Sequence, residues 1–398
     1  MDYRKHQDVS LSEVGIGCYA LSGVYGKVDP ISFQSLIQRA FELGINYFDT
    51  AEAYGDGERI LGEAVRPFRS QILLATKAGV KEGARPNLSR EYISAACEAS
   101  LAALGTDYID VYQVHFHDPA TPVEESVRAL EDLVSDGKVR HWGIGHLSLD
   151  IANAYFKTGK VFSVLMELSA AERNSLKSLL PLCRDGKAAA IAFSVTGRGL
   201  LTARFQEGHR FNTTDIRHMD PLFQRERFRS GLRIAAKLGE IGSLYGKTAA
   251  QVGIAWVLAQ PGIVCALTGP SSIDHLEENT AASGWVIDDS SLNTLDDYLD
   301  GEQARIEREQ RLTLANILKG PLPHEAQAAF VDLVYAIETL LALELASEGQ
   351  VVPLFYDLYS LRESLHEPGI SQKLEGFKVK LKELYQTSQV HPVSMERL

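Results

Sequence analysis

The stretch Tyr47-Phe-Asp-Thr-Ala-Glu-Ala-Tyr-Gly55 joins the end of an apolar run to a loop that contains glycine. Asp49 ends the run that begins at Gly44, and Tyr54 follows in the loop. A carboxylate at the buried end of a strand is costly to desolvate and needs a partner. The stretch therefore predicts a strand that carries a polar, paired side chain at its C-terminal end.

Two later apolar runs also end in a titratable side chain. The run from Ile72 to Thr76 leads into Lys77, and the run from Tyr108 to Val114 leads into His115. Side chains of this kind transfer protons when they meet at one end of a fold. We therefore expect a carboxylate, a phenol, an ammonium and an imidazole to form one proton-transfer site.

Short apolar runs alternate with amphipathic segments from residue 14 to residue 285. Buried parallel strands have nearly continuous apolar sequences, so this alternation predicts a parallel α/β fold. Eight strands over this length predict a (β/α)8 TIM barrel, whose active site lies at the C-terminal ends of the strands. The candidate strands are Val14–Cys18, Ile45–Asp49, Ile72–Lys77, Ile109–His115, His141–Gly145, Phe162–Glu167, Ala189–Ser194 and Val264–Gly269.

A doubly wound sheet is the competing fold for the same alternation. Such a sheet would carry a glycine-rich fingerprint after its first strand and an acidic residue after its second strand. The segment Gly15-Ile-Gly17 lacks the third glycine at the required offset, and no acidic residue follows at the expected place. The pattern therefore favours the barrel.

Composition and charge restrict the class of protein. The chain has 398 residues, of which 45% are hydrophobic and 23% charged, as in an ordinary globular protein. Its net charge of -12 argues against a nucleic-acid or anionic-membrane partner. The N-terminus has no apolar signal region and no window reaches the length of a membrane span, so we expect a cytoplasmic location. The four cysteines are far apart in sequence and indicate buried thiols, and no metal site is predicted.

Two segments lie outside the alternation. The segment from Gly197 to Arg229 is polar and arginine-rich, and a loop of this length is usually functional. From Arg305 onward apolar residues recur at helical spacing, most clearly from Phe330 to Leu345. We therefore predict two domains, a barrel over residues 1–302 and an α-helical C-terminal extension over residues 303–398.

Several longer motifs resemble those of the aldo-keto reductase family over residues 3–300. Asn46–Gly55 followed by Glu58–Gly62 resembles the first signature of that family. Later motifs in the same order are Ala75–Gly79, Leu104–His115 and Lys138–Gly145. The chain is most similar to the bacterial branch related to potassium-channel β subunits. The resemblance implies a TIM barrel and an NAD(P)H-dependent oxidoreductase, to which the C-terminal extension is an unusual addition.

The resemblance also implies a role for each titratable residue. Tyr54 would protonate the carbonyl oxygen as hydride reaches the carbon, and Lys77 would lower its pKa from about 10. Asp49 would pair with Lys77, and His115 would orient the substrate carbonyl. Taken singly, the same residues could be a structural ion pair, an ordinary loop tyrosine and a core histidine. Their order at successive strand ends favours a shared site.

The resemblance further implies a set of cofactor-binding positions. Where the family usually has Ser-Asn and Gln near the nicotinamide carboxamide, this chain has Gly145, His146 and Leu165. His275 stands where a basic residue often holds the 2′-phosphate, so NADP(H) is expected with NAD(H) as the alternative. The implied cofactor-binding residues are His146, Phe193, Ser194, Gly199, Leu200, Arg204, Gly269, Ser271, Ser272, His275, Glu278 and Asn279.

The function implied by the resemblance is the interconversion of a carbonyl (aldehyde, ketone or keto-sugar) and an alcohol by hydride transfer, with Tyr54 as general acid/base. The altered carboxamide positions motivate one alternative, a redox-neutral dehydratase or epimerase that retains a nicotinamide cofactor and acts on a sugar-like substrate. The helical extension motivates another, a cofactor-binding regulatory subunit. The expected partner is a small-molecule carbonyl or sugar-like substrate, and homo-oligomer formation through the C-terminal helices is a further expectation.

Overall fold

A computed structural model of the chain describes residues 1–81 and 85–390. The chain divides into two compact units. The first unit contains residues 1–206 and 232–295, and the second contains residues 207–231 together with the chain from residue 296. The predicted domain limits of 1–302 and 303–398 stay a prediction, and residues 391–398 of the predicted extension lie outside the described residues.

The first unit is built on a closed parallel barrel of eight strands, which confirms the predicted fold class. All eight candidate strands are present, and their ends differ from the predicted ends by at most two residues. Each strand pairs with the next along the chain, and the last pairs with the first. The barrel strands are β3 (Val14–Gly17), β4 (Tyr47–Asp49), β5 (Leu73–Ala78), β6 (Ile109–Val114), β7 (Val139–Gly145), β8 (Ser163–Glu167), β9 (Ala189–Phe193) and β10 (Ile263–Thr268).

An N-terminal hairpin precedes the barrel and was not predicted from the sequence. Its strands β1 (Tyr3–His6) and β2 (Val9–Ser12) pair antiparallel. Leu11 of β2 is fully buried among apolar side chains of the barrel interior. The backbone N–H of Ser12 donates to Asn46, which immediately precedes β4, at 2.8 Å. The hairpin therefore lies at the N-terminal ends of the barrel strands and leaves their C-terminal ends to the loops.

Helices follow the barrel strands, and local sequence sets several of their ends. The carboxylate of Asp29 accepts a hydrogen bond from the backbone N–H of Ser32 at 2.9 Å and caps the first helix. Gly105, with φ of 61°, ends the third helix in the left-handed conformation that glycine adopts most readily. The helices up to residue 280 are α1 (Pro30–Glu42), α2 (Gly57–Val65), α3 (Arg90–Leu104), α4 (Val123–Ser135), α5 (Leu149–Thr158), α6 (Leu179–Gly186), α7 (Arg225–Tyr245), α8 (Ala249–Ala259) and α9 (Ile273–Thr280).

The segment after β9 is more structured than the long polar loop that the sequence indicates. Three single turns of 3-10 helix lie at Leu200–Thr202, Ile216–His218 and Pro221–Phe223. Helix α7 then begins at Arg225, within the stretch expected to be loop. Most residues of this first turn are charged, so the turn lacks the apolar spacing from which a helix is predicted.

The second unit is helical and has its own apolar core. Phe330, Leu333, Ile337 and Leu340 recur at three- and four-residue spacing and are fully buried, which confirms the predicted helical extension. The hydroxyl of Tyr335 donates to Glu226 at 2.5 Å. The remaining helices are α10 (Asp289–Lys319), α11 (Ala326–Ala342), α12 (Glu348–Tyr359) and α13 (Ile370–Val390). Within residues 1–81 and 85–390, no helix combines the length and the apolar character that crossing a bilayer requires.

We predict that Leu333→Ala lowers the free energy of unfolding of the second unit by about 2–5 kcal/mol. The reason is that truncating a fully buried leucine removes apolar contacts and leaves a cavity. Urea unfolding followed by far-UV circular dichroism measures the change. Leu312→Ala is the matched control, because Leu312 of α10 is 68% exposed and its truncation should change stability by at most about 0.5 kcal/mol. Equal losses in the two variants would contradict the packing described for α11.

Candidate active site

A buried ion pair lies at the C-terminal ends of β4 and β5. Lys77 is fully buried and Asp49 almost so, and the Lys77 ammonium donates to the Asp49 carboxylate. The ammonium also donates to the backbone carbonyl of Thr50 at 2.7 Å. Burial raises the pKa of the Asp49 carboxyl, and the positive charge of Lys77 opposes that rise. The structure thus brings together the two residues that the sequence predicts as partners.

Tyr54 lies above this pair in the loop between β4 and α2. Its side chain is buried, and the Lys77 Nζ is 5.2 Å from the centre of its ring. Burial raises the pKa of the Tyr54 phenol well above its ordinary value, and the negative charge of Asp49 adds to the rise. This direction is opposite to the one expected from the sequence, because the desolvation of a phenolate dominates at this depth. The phenol therefore holds its proton at neutral pH.

His115 completes the group predicted from the sequence. Its ring is buried at the end of β6, and its centre is 5.8 Å from that of the Tyr54 ring, with the rings edge to face. Burial, the charge of Lys77 and the nearby His146 lower the pKa of His115 well below its ordinary value. The imidazole is therefore neutral at physiological pH. Its Nδ1 has no hydrogen-bond partner among the described residues.

Gln113 also contacts the ion pair and was missed in the sequence analysis. It is fully buried on β6, and its Nε2 lies 3.3 Å from the Tyr47 hydroxyl and 3.5 Å from Asp49 Oδ2. The alternation of a strand offers a signal that could have found it, since Gln113 is two residues before His115 and shares its face.

Two tyrosines from the segment after β3 form a series of ring contacts that ends at Tyr54. The ring of Tyr19 lies 5.2 Å from that of Tyr54, and the ring of Tyr25 lies 5.9 Å from that of Tyr19. Neither residue was singled out from the sequence. Tyr19 thus places aromatic surface beside Tyr54, and Tyr25 extends that surface.

A second cluster surrounds His146 at the ends of β7 and β9. The His146 ring lies 4.7 Å from that of Phe193 and 4.9 Å from that of Phe116. Desolvation by neighbouring side chains and the charges of Lys77 and Arg198 lower the pKa of His146. Part of the His146 side chain is nevertheless exposed to solvent.

The backbone of this second cluster is in an unusual conformation. His146 has φ of 49° and Ser194 has φ of 58°, in the left-handed region that non-glycine residues rarely adopt. The Ser194 hydroxyl is buried and has no hydrogen-bond partner in the described part of the chain. Strained backbone and an unpaired buried hydroxyl beside aromatic rings are typical of a ligand site.

A third cluster combines the loop after β9 with the start of α9. Arg204 contacts the His275 ring, and its guanidinium donates to Glu278 at 2.6 Å. The Ser271 hydroxyl lies 3.0 Å from the other ring nitrogen of His275. The Ser272 hydroxyl accepts from the backbone N–H of His275 at 3.2 Å and caps α9. Burial and the charge of Arg204 lower the pKa of His275.

The other predicted cofactor residues lie beside the second and third clusters in the chain. Gly199 has φ of 93° and precedes the 3-10 turn in which Leu200 is fully buried. Gly269 follows β10, and a Cβ built there would meet only the Gly17 carbonyl oxygen, at 3.7 Å. Asn279 is almost fully buried in the last turn of α9. All of the predicted cofactor residues thus lie in the first unit, in or next to the second and third clusters along the chain.

Comparison with known proteins settles the family. The family model described as "Aldo/keto reductase family" matches residues 13–300. The chain belongs to this family. The chain is therefore an oxidoreductase, and the family recognised from the motifs is confirmed. The match ends before α11, so the three last helices lie beyond it.

This aldo/keto reductase matches several relatives over nearly the whole length of each relative. It is 32% identical over 309 residues to the aldo-keto reductase YhdN of Bacillus subtilis, covering 74% of this chain and 93% of that protein. The solved glycerol dehydrogenase of Gluconobacter oxydans is similar at 28% identity with a TM-score of 0.70, covering 76% of this chain and 96% of that one. An aldo/keto reductase of Klebsiella pneumoniae, solved with NADP and acetate, is similar at 25% identity with a TM-score of 0.60, covering 74% and 93%.

We predict that His115 makes the stability of this aldo/keto reductase depend on pH. In the unfolded chain His115 takes up a proton near pH 6.5, whereas burial keeps the folded imidazole neutral. The unfolded state then binds more protons, so the stability is fully present above about pH 6.5 and falls as the pH is lowered. In His115→Asn the fall should be shallower by about 1.4 kcal/mol per pH unit below about pH 6. Urea unfolding at several pH values measures this slope, and parallel curves for the two proteins would contradict the prediction.

Proposed function

We propose that the chain is an NADP(H)-dependent oxidoreductase that interconverts a carbonyl and an alcohol, with Tyr54 as general acid/base. The observation that carries the proposal is the group formed by Tyr54, Lys77, Asp49 and His115 at the C-terminal ends of neighbouring strands. In a TIM barrel this end holds the active site. A buried phenol that keeps its proton, above a buried ammonium, suits the delivery of a proton to an oxygen that becomes negatively charged.

The cofactor-binding residues proposed from the family fit a nicotinamide dinucleotide in three respects. The exposed edge of His146 and the unpaired Ser194 hydroxyl offer hydrogen bonds to a carboxamide, and Phe193 offers an aromatic face to the ring. Gly199 and Gly269 bring backbone without a side chain to the phosphate region, as close approach to a pyrophosphate requires. The bound dinucleotide would supply or accept the hydride.

The cluster at the start of α9 supports a preference for NADP(H). A phosphate oxygen accepts strongly from a guanidinium and from the N-terminal amides of a helix. Arg204, Ser271, Ser272 and His275 place such donors together, while Glu278 balances the arginine charge. The NADP-bound structure of the Klebsiella relative is consistent with this preference. NAD(H) remains the alternative to be tested.

The residues of the proton-transfer group have separate tasks in this proposal. Tyr54 gives its proton to the carbonyl oxygen during reduction and takes it back during oxidation. The Lys77 ammonium stabilises the phenolate that forms when Tyr54 gives up its proton, and the Asp49 carboxylate accepts a hydrogen bond from that ammonium. The neutral His115 orients the substrate oxygen by a hydrogen bond.

Polar, hydroxylated carbonyl compounds are the substrate class we propose. One of the solved relatives is a glycerol dehydrogenase, whose name identifies a polyol substrate. Tyr19 contacts the Tyr54 ring and Tyr25 contacts Tyr19, and we expect these aromatic faces to contact the C–H surfaces of a sugar or polyol. The cytoplasmic location and the association of subunits through the C-terminal helices both stay predictions.

We predict that Tyr54→Phe lowers kcat by at least about a hundredfold and leaves the affinity for NADPH within about twofold of wild type. NADPH oxidation is followed by absorbance with DL-glyceraldehyde, benzaldehyde and fructose as substrates, and NADPH affinity is followed by fluorescence titration. Wild-type turnover without net NADPH oxidation would favour the redox-neutral alternative. Turnover that survives in Tyr54→Phe would show that another group donates the proton.

We predict that Arg204→Ala weakens NADPH binding by about tenfold and NADH binding by no more than about twofold, because only NADPH carries the 2′-phosphate. Fluorescence titration measures both dissociation constants. Arg39→Ala is the matched control, since Arg39 of α1 pairs with Glu277 of α9 at 2.7 Å and its described bonds are to Glu42 and Glu277. Equal weakening of both cofactors by Arg204→Ala would contradict a 2′-phosphate contact.

A further inference from the structure

Glu52 lies two residues before Tyr54 and forms a set of hydrogen bonds that the proton-transfer chemistry does not use directly. Its Oε1 accepts from the backbone N–H of Gly79 at 2.8 Å and from that of Val80 at 3.0 Å. The hydroxyl of Tyr92 on α3 donates to the same oxygen at 3.0 Å. Gly79 and Val80 immediately follow β5, which carries Lys77. One carboxylate oxygen therefore joins the loop of Tyr54 to the end of the Lys77 strand and to α3.

The backbone bonds of this loop to β5 stop before Tyr54. The N–H of Thr50 donates to the carbonyl of Ala75 at 2.9 Å, and the N–H of Glu52 donates to that of Lys77 at 3.1 Å. The N–H of Tyr54 instead donates within its own loop, to Ala51 at 3.1 Å. Among the described bonds, those of the Glu52 side chain to Gly79 and Val80, which directly follow β5, are therefore the last to hold this loop before Tyr54.

We propose that Glu52 is a positioning residue that holds the Tyr54 phenol in register with the Lys77 ammonium. The proposal rests on the proposed function, since it concerns the placement of the group that we assign as proton donor. Glu52 acts through the loop backbone and does not touch the reacting atoms. The distance it maintains is the 5.2 Å between Lys77 Nζ and the centre of the Tyr54 ring.

The geometry indicates that reach, more than charge, determines this task. Two backbone amides converge on one oxygen, so any side chain that places an acceptor oxygen there can hold the loop. Glutamine has the same length and an acceptor oxygen but no charge, whereas aspartate keeps the charge and is one methylene shorter. The two substitutions therefore separate positioning from an electrostatic effect on Lys77.

Single-turnover reduction of DL-glyceraldehyde by the NADPH complex tests the proposal, below the unfolding temperature of every variant. We expect Glu52→Asp to slow the step by roughly ten- to a hundredfold and to enlarge the solvent deuterium isotope effect, because a misplaced phenol delays proton transfer. Glu52→Gln should stay within about threefold of wild type. Tyr92→Phe removes one donor to Glu52 and leaves both backbone hydrogen bonds, so its rate should also stay within about threefold of wild type. NADPH affinity should change by less than about twofold in all three.

The outcomes distinguish this proposal from the proposed function. If Glu52→Asp and Glu52→Gln both keep the wild-type rate and isotope effect while Tyr54→Phe is inactive, Glu52 has no positioning task and Tyr54 keeps its role. If Glu52→Gln is slow and Glu52→Asp is fast, charge is what matters and the proposal is overturned. If Tyr54→Phe keeps the wild-type rate, the proposed function fails, whatever the Glu52 variants do.

Discussion

The buried ion pair between Lys77 and Asp49 is the interaction on which the rest of the site depends. Neither charge could be buried at the strand ends without the other, because removing one partner of such a pair costs about 3–5 kcal/mol. The ammonium also donates to the backbone carbonyl of Thr50, so the same group holds the first residue of the loop. Two residues later, the Glu52 carboxylate accepts from the backbone N–H groups of Gly79 and Val80 and holds the loop to the end of β5. The position of Tyr54 thus depends on an ion pair at the ends of two neighbouring strands, β4 and β5.

Burial decides the protonation states around this pair. It raises the pKa of Tyr54 and lowers the pKa of His115, so both groups are uncharged at neutral pH. The site therefore contains one compensated ion pair beside neutral donors and acceptors. A carbonyl oxygen that gains negative charge in such surroundings interacts strongly with the nearby ammonium, since little solvent screens it.

The barrel could be predicted closely from the sequence because buried parallel strands have continuous apolar sequences. This holds for β6, where every residue from Ile109 to Val114 is buried. The hairpin strand Tyr3–His6 was missed because its residues alternate between exposed and partly buried and include Arg4 and Lys5. The four residues proposed for proton transfer could be singled out because each lies at the end of an apolar run or in a recognisable motif.

The contacts that orient the site residues were not predictable in the same way. Glu52 accepts hydrogen bonds from the backbone N–H groups of Gly79 and Val80. Every residue other than proline has a backbone N–H, so the sequence does not indicate which of them binds a given side chain. The direction of the shift in the Tyr54 pKa depends on how deeply the phenol is buried, which only the folded chain defines. Propensity and pattern thus locate residues, and tertiary packing sets their electrostatics.

The unpaired Nδ1 of His115 has a consequence for the tautomer of its ring. A histidine that donates one ring N–H to a fixed carbonyl or carboxylate is locked in a single tautomer. At Nδ1, no described residue imposes such a lock on His115. A neutral ring of this kind can present an N–H to a ketone or aldehyde and a lone pair to a hydroxyl. If His115 contacts a substrate oxygen as proposed, the same imidazole can bind both the carbonyl and the alcohol form of that substrate.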